Sequence, residues 1–342
     1  MKIKRVSLIA AAAVLALGMS ACGGGTSSGT SAPNKTIANV VPGALGDQSF
    51  FDSAQSGIKA LESSGYKTTT LQADTNNLAQ WKANLDSVST GQWGLVVIGS
   101  SVAVDPLTTE ARKFPNQHYI FYDGEVNAPN VASITYKQNE GAYLAGVLAA
   151  LATSDKTDFP LSSGSKTIGL VGAMDIPVIE DFVVGFKAGA NAVDPSVKVL
   201  TSFVGSWTDS AKAYDQAKGM YGQNADVVYN VASGAGVGVL QAAKDANKYA
   251  IGVDSNQNAL QPGHVLASVL KQVGQSIEQA AQANEKGTLA FGKTTEFGLA
   301  NDGVGLTFDN NGKIVPDSVI AKIDDYKQQV VSGKIQVPTA LG

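Results

Sequence analysis

The residues of this chain that could do chemistry stand just after its apolar runs. Asp47, Phe50 and Phe51 follow "TIANVVPG"; Ser100 and Ser101 follow "GLVVIG"; Asp123 follows "HYIFY". Trp207 and Asp209 follow "VLTSFVGS", the glycines of "ASGAGVG" follow "VVYNV", and Asp254 follows "YAIGV". Carboxylates and flat rings recurring in this way suit a cleft with apolar walls and a few hydrogen-bonding groups, the anatomy of a small-molecule site. Each member also has a plainer use. An Asp after a strand commonly caps the next helix, which is the alternative for Asp123 and Asp209, and Trp207 could pack one lobe on another. With one Cys and two His in 342 residues, a Ser–His–Asp triad, a thiol site or a His-rich metal cluster has little to work with. No nucleophile–base pair stands out. The chemistry expected is therefore binding without turnover, with no catalytic residue, no metal and no cofactor.

The stretch "ASGAGVGV" follows a strand and opens a helix, as phosphate loops do. It lacks the Lys-Ser/Thr of a P-loop and the spacing of a dinucleotide fingerprint. Close backbone approach to an uncharged ligand is the better use of its glycines, Gly234 among them.

Positioning such residues requires alternating strands and helices, and the chain supplies them. The apolar runs "TIANVVPG", "YKTTTLQA", "GLVVIGS", "HYIFYDG", "VASITY", "TIGLVGA", "VKVLTSFVG", "ADVVYNVA", "YAIGVDS" and "HVLASVL" are separated by segments of helical period such as "DSAQSGIKALESSG" and "EGAYLAGVLAALATS". Several runs are continuously apolar and β-branched, as strands buried on both faces of a parallel sheet are. Strand-then-helix repetition predicts βαβ crossovers and an α/β fold. There are more units than one open sheet of ordinary size uses, so two doubly wound lobes with a cleft between them are expected, ligands gathering beyond the carboxyl ends of the strands. "LANDGVGLTFDNNGKI" predicts a late hairpin with "NNG" at its turn, followed by a closing amphipathic helix in "PDSVIAKIDDYKQQVVSG".

The first 22 residues speak to compartment. "MKIKR" is a basic start, "VSLIAAAAVLALG" is too short to span a bilayer comfortably, and "MSAC" sets small residues before Cys22. The Gly/Ser/Thr-rich "GGGTSSGTSAPNKT" after it suits a flexible tether. The expectation is a signal peptide over 1–21, cleavage before Cys22, lipidation of Cys22, and a tether over 22–35. Loss of Lys2, Lys4 and Arg5 would take the formal charge from −4 to −7, which gives no support to nucleic-acid binding through phosphates.

"MSAC" resembles the lipobox of bacterial lipoproteins, with Met19 where Leu is commoner. From about Thr36 to Pro338 the chain resembles the basic membrane protein family, also called the purine nucleoside receptor A type. The resemblance is carried by "GDQSFFDSAQSGI", "EGAYLAGVLAA", "TIGLVGAMDIPVIEDFVVGFKAGANAVDPSVKV", "GSWTDSAKAYDQA", "ADVVYNVASGAGVGVLQAAKDA", "IGVDSNQ" and "VLASVLKQVGQSI". It implies a substrate-binding lipoprotein of an ABC transporter, with the type I periplasmic-binding fold: two lobes joined by crossover hinge strands, 36–136 plus 255–290 forming the first and 137–254 plus 291–342 the second. It implies that a nucleobase lies between Phe50 and Trp207, that Asp123 bonds the base, and that Asp254 and Lys271 hold the ribose hydroxyls with Gly234 against the sugar. Two positions depart from the family. Phe51 stands where Asn is usual, and Trp207 where Phe is, so edge reading weakens and stacking strengthens.

The implied partners are a nucleoside, ABC permease subunits and the membrane through the lipid on Cys22, for a monomer on the extracytoplasmic face. Alternatives are a sugar or autoinducer receptor of the same fold, a surface adhesin or antigen, and an enzyme such as a nucleoside hydrolase.

Overall fold

The structure, a computed structural model, describes residues 34–74 and 77–341. The signal peptide, Cys22 and nearly all of the tether lie outside the described residues.

The ten apolar runs form ten strands: β1 (Thr36–Val41), β2 (Lys67–Gln72), β3 (Leu95–Gly99), β4 (Tyr119–Tyr122), β5 (Val131–Tyr136), β6 (Thr167–Gly172), β7 (Lys198–Phe203), β8 (Val227–Val231), β9 (Tyr249–Asp254) and β10 (Val265–Lys271). Two further strands, β11 (Lys293–Phe297) and β12 (Val304–Thr307), complete two six-stranded sheets, ordered β11-β5-β4-β3-β1-β2 and β12-β10-β9-β8-β6-β7. All pairings are parallel except β12, which runs antiparallel to β10. Central strands such as β3 and β9 are buried at every residue, and the continuous apolar sequence is what that position demands. The edge strands β2, β7 and β11 carry Lys and Thr and stay partly exposed.

The helices between the strands are α1 (Phe50–Ser63), α2 (Leu78–Val88), α3 (Val104–Lys113), α4 (Gln138–Ser154), α5 (Pro177–Val193), α6 (Ser210–Gly222), α7 (Val237–Asp245), α8 (Val273–Glu285) and α9 (Asp317–Val331). The apolar α4 is buried along most of its length against α5 and the second sheet. That contact explains the "GFKAGANAV" block. A Cβ at Gly185 would stand 2.2 Å from the Asn139 carbonyl oxygen, and one at Gly189 1.9 Å from that of Tyr143.

Two expectations need correction, and two elements add to the sequence reading. The late hairpin does not form: β12 pairs with the distant β10, and no strand follows "NNG" before α9. β11 and α8, absent from the sequence reading, are both present. The division of the chain after 254 also differs from the sheets. β10 joins the second sheet although 255–290 was assigned to the first lobe, and β11 joins the first sheet although 291–342 was assigned to the second. The reason is that the chain crosses between lobes at three places: after β5, between β10 and α8, and between β11 and β12. α8 packs on α1, so its segment does return to the first lobe.

Candidate functional site

Both sheets aim their carboxyl ends at one cleft. Four residues that end strands or follow them there, Ser100, Asp123, Ser233 and Asp254, hold left-handed backbone with φ of 89°, 69°, 49° and 62°. Non-glycine residues take that region at a cost, and such residues cluster where the surrounding fold fixes a functional turn.

The cleft encloses a cavity of about 590 Å³, within the usual range for small-molecule sites. Phe50, Phe51, Asp123, Trp207, Gly234, Asp254 and Lys271 all line it. Phe50, Phe51 and Asp123 come from the first lobe and the other four from the second. Lys271 is the one cationic side chain among the described residues of the wall, against the carboxylates Asp47, Asp123 and Asp254.

Lys271 ends β10 and is 3% exposed. Its ammonium donates to Asp123 Oδ1, a short ion pair between the lobes. Around the same ammonium stand the rings of Tyr136, Phe50 and Phe182, with centroids at 5.0, 5.4 and 5.7 Å. Ring faces attract a desolvated cation, so this cage makes a buried lysine tolerable. Phe50 in turn packs on Tyr122 at 5.5 Å and on Phe51 at 5.2 Å.

Asp254 is 8% exposed, and its Oδ2 accepts from the Ser49 hydroxyl at 2.6 Å. Burial drives its carboxyl up to about 6, opposed by the nearby Lys271 and by the Ser49 bond, while Asp47 and Asp123 push it further up. Burial also raises Asp47, against the backbone N–H groups of Phe51, Ser49 and Asp52 that it accepts. Those bonds cap α1, whose N-cap residue Ser49 bonds across the cleft instead of to its own helix.

The turn before α1 is tied to the second lobe at several points. The Ser233 hydroxyl donates to Asp47 Oδ2 at 3.2 Å, Gln257 Nε2 to the Gln48 carbonyl at 3.0 Å, and the Ser255 hydroxyl to the Ser49 carbonyl at 2.9 Å. The lobes are therefore closed on one another.

The structure separates the members of the strand-end set. Asp209 is the N-cap of α6, accepting from Lys212 N at 3.0 Å, so its plainer use holds. Asp123 instead reaches Lys271. The glycine loop divides too. A Cβ at Gly236 would lie 1.9 Å from Asn230 Oδ1, and one at Gly238 2.0 Å from the Ser210 carbonyl, so these two serve internal packing. Gly234 faces the cavity. Sequence reasoning missed Phe182, which sits a turn and a half inside α5, away from the strand end. Ser49 and the ring of Tyr136 were missed because their role depends on lobe closure.

The sequence profile described as "ABC transporter substrate-binding protein PnrA-like" matches residues 34–340. The chain belongs to this PnrA-like family of ABC transporter substrate-binding proteins. A relative from Lactococcus lactis subsp. cremoris, named ABC transporter nucleoside-binding protein BmpA, is 33% identical over 98% of this chain and 99% of its own length. Basic membrane protein D of Borreliella burgdorferi is 32% identical over 89% of this chain and 88% of its own. The fold is shared with a solved ABC transporter solute-binding protein from Aeropyrum pernix K1, at a TM-score of 0.80 and 24% identity, covering 89% of this chain and 93% of that one. The two-lobed α/β architecture expected from the sequence is thus that of the solute-binding proteins. As a PnrA-like substrate-binding protein, the chain serves an ABC transporter outside the cytoplasm by binding a small molecule. Among the described residues no helix is long and apolar enough to cross a membrane.

Proposed function

We propose that the protein captures nucleosides and hands them to an ABC permease while held to the membrane through a lipid on Cys22. The base lies between Phe50 and Trp207, Asp123 takes the base edge, and Asp254 with Lys271 holds the ribose beside Gly234. The observation that carries this reading is one cavity lined by an aromatic ring from each lobe together with a buried carboxylate and lysine. Flat apolar walls suit a base, which gains about 1–3 kcal/mol per aromatic stack. A carboxylate that can accept from two vicinal hydroxyls suits a ribose, and a ligand lacking one hydroxyl leaves a buried group unpaired. Three carboxylates against one lysine favour an uncharged ligand, because a phosphate ester would meet like charge.

The test is calorimetric titration of the mature protein with adenosine, cytidine, ribose and adenosine monophosphate. Nucleosides should bind, ribose should not compete with adenosine, and the monophosphate should bind at least about tenfold more weakly, one unit of log affinity being 1.36 kcal/mol. No heat and no thermal shift with any nucleoside at millimolar concentration would reject the proposal. Anchoring is tested separately by palmitate labelling of cells, which the variant Cys22→Ala should abolish.

A further inference from the structure

Beside the main cavity lies a second recess of about 370 Å³. The two share Ser101, Val102, Asp123 and Val178, so they adjoin along these four residues. Beyond that junction the recess is walled by Ile176, Pro177, the Tyr136 ring and Leu341. Its larger polar groups are engaged elsewhere. The Tyr136 hydroxyl bonds Ser276 Oγ at 2.6 Å, Gln138 Nε2 donates to Asp181 Oδ2 at 2.7 Å, and Asp123 holds Lys271. The same Asp181 accepts from the Thr339 hydroxyl at 2.6 Å and from Ala340 N at 2.9 Å, which brings Leu341 over the recess. Val102 and Leu341 are 51% and 39% exposed, among the few large apolar side chains left so open. Two sides of the recess therefore present apolar surface that a ligand group would cover.

We propose that this recess receives an apolar substituent carried on the base edge of the bound nucleoside, so that the ligand class includes nucleosides alkylated or benzylated on an exocyclic amine. The inference rests on the nucleoside reading, which puts the base edge at Asp123. A group that enters the recess passes between Ser101, Val102, Asp123 and Val178, and the atom of the ligand beside Asp123 is placed to carry it. The sugar end is held at Asp254 and Gly234, neither of which lines the recess. Ser101, Thr135 and Gln138 also line the recess, but most of its wall is apolar, and an aromatic or branched alkyl group would remove the exposed faces of Val102 and Leu341 from water.

The experiment compares adenosine with N6-benzyladenosine by calorimetry in the wild type and in Ile176→Trp and Leu341→Asp, both residues lining the recess but not the main cavity. In the wild type N6-benzyladenosine should bind on the order of tenfold tighter than adenosine, the gain of burying one such group. Ile176→Trp should fill the recess, and Leu341→Asp should charge its rim. Both should bind adenosine within about twofold of wild type while removing the benzyl advantage. Melting curves check that Ile176→Trp folds, and the exposed Leu341→Asp carries the test if it does not. If adenosine binds and N6-benzyladenosine binds much more weakly in the wild type, the recess does not take base substituents. If the benzyl advantage survives both substitutions, the group lies elsewhere. If neither compound binds, the nucleoside reading itself has failed.

Discussion

The two lobes repeat one strand order, so their cleft-facing ends can be compared position by position. β4 of the first lobe and β9 of the second hold equivalent places, and each delivers an aspartate in left-handed backbone, Asp123 at φ 69° and Asp254 at φ 62°. Both acids face Lys271, yet they have opposite electrostatic situations. Asp123 is paired directly with the ammonium. Asp254 is more deeply buried, has only a serine hydroxyl as its hydrogen-bond partner, and titrates near 6. The equivalent helix entries differ as well. α1 is reached through an eight-residue turn whose Asp47 caps it, while α5 begins at Pro177, which has no N–H to cap. At these helix entries the first lobe thus presents a hydrogen-bonded turn to the cleft, and the second the apolar Val178, Ile179 and Phe182. One fold repeated twice has produced a hydrogen-bonded helix entry and an apolar one on a single cavity, to which both lobes bring rings and carboxylates.

The sharpest way to break the comparison is to remove the cation that both acids share. Lys271→Met leaves Asp123 buried without its partner, and losing one member of a buried pair costs about 3–5 kcal/mol. Melting should fall clearly, and nucleoside affinity should fall by about a hundredfold or more. Adding Asp123→Asn should restore part of the melting temperature but none of the affinity. If Lys271→Met melts and binds like wild type, the ammonium is not the centre of the site.

The next test separates the two acids from each other. Because burial raises the folded-state value of Asp254 to about 6, above the ordinary value near 3.9, the folded form holds this proton more tightly than the unfolded form. The resulting stability is fully present below pH ~4 and is lost as pH rises through about 6, on the order of 3 kcal/mol in all. Asp47, raised by the same cause, acts in the same direction. The unliganded wild type should therefore melt at a lower temperature at pH 7 than at pH 5, and Asp254→Asn should flatten that difference. At pH 7 Asp254→Asn should melt above wild type yet bind nucleosides about thirtyfold more weakly, through loss of a charged acceptor. Asp123→Asn should instead melt below wild type, since it strips Lys271 of its partner. Two asparagine variants with the same melting behaviour would erase the distinction drawn here.

What the sequence made legible follows the same division. The eight inner strands were readable because strands buried on both faces leave little room for polar residues, and the edge strands β2 and β7 were readable from their β-branched Val and Thr. β11, "KTTEF", was not, since an edge strand with four exposed residues carries no apolar signal. β12 was misread as half of a hairpin because its partner β10 lies more than thirty residues earlier in the chain. The acids and rings after the strands pointed to the cavity. The charge state of Asp254 did not, as it arises from closure of one lobe on another. Gly236 and Gly238 looked like ligand-facing backbone and proved to accommodate Asn230 and Ser210, a distinction set by packing across the loop.

The smallest expected effect concerns the second residue of each helix entry, Phe51 in α1 and Val178 in α5, both on the cavity wall. Phe51 meets Phe50 edge to face and lies so close to Gly43 that a Cβ there would stand 2.7 Å from Phe51 Cε2. Its ring therefore braces the turn as well as facing the cavity. Phe51→Asn exchanges that bracing for an amide able to bond a base edge. Melting should fall by an amount equivalent to about 1 kcal/mol, while the ratio of adenosine to cytidine affinity should rise several-fold, because an edge-directed hydrogen bond discriminates bases where stacking does not. Val178→Asn, at the matching position of the second lobe, should weaken both nucleosides alike. A ratio that moves with Val178 and not with Phe51 would show that base edges are read from the second lobe. A fall in melting with no change of ratio in either variant would leave Phe51 as bracing for the turn and nothing more.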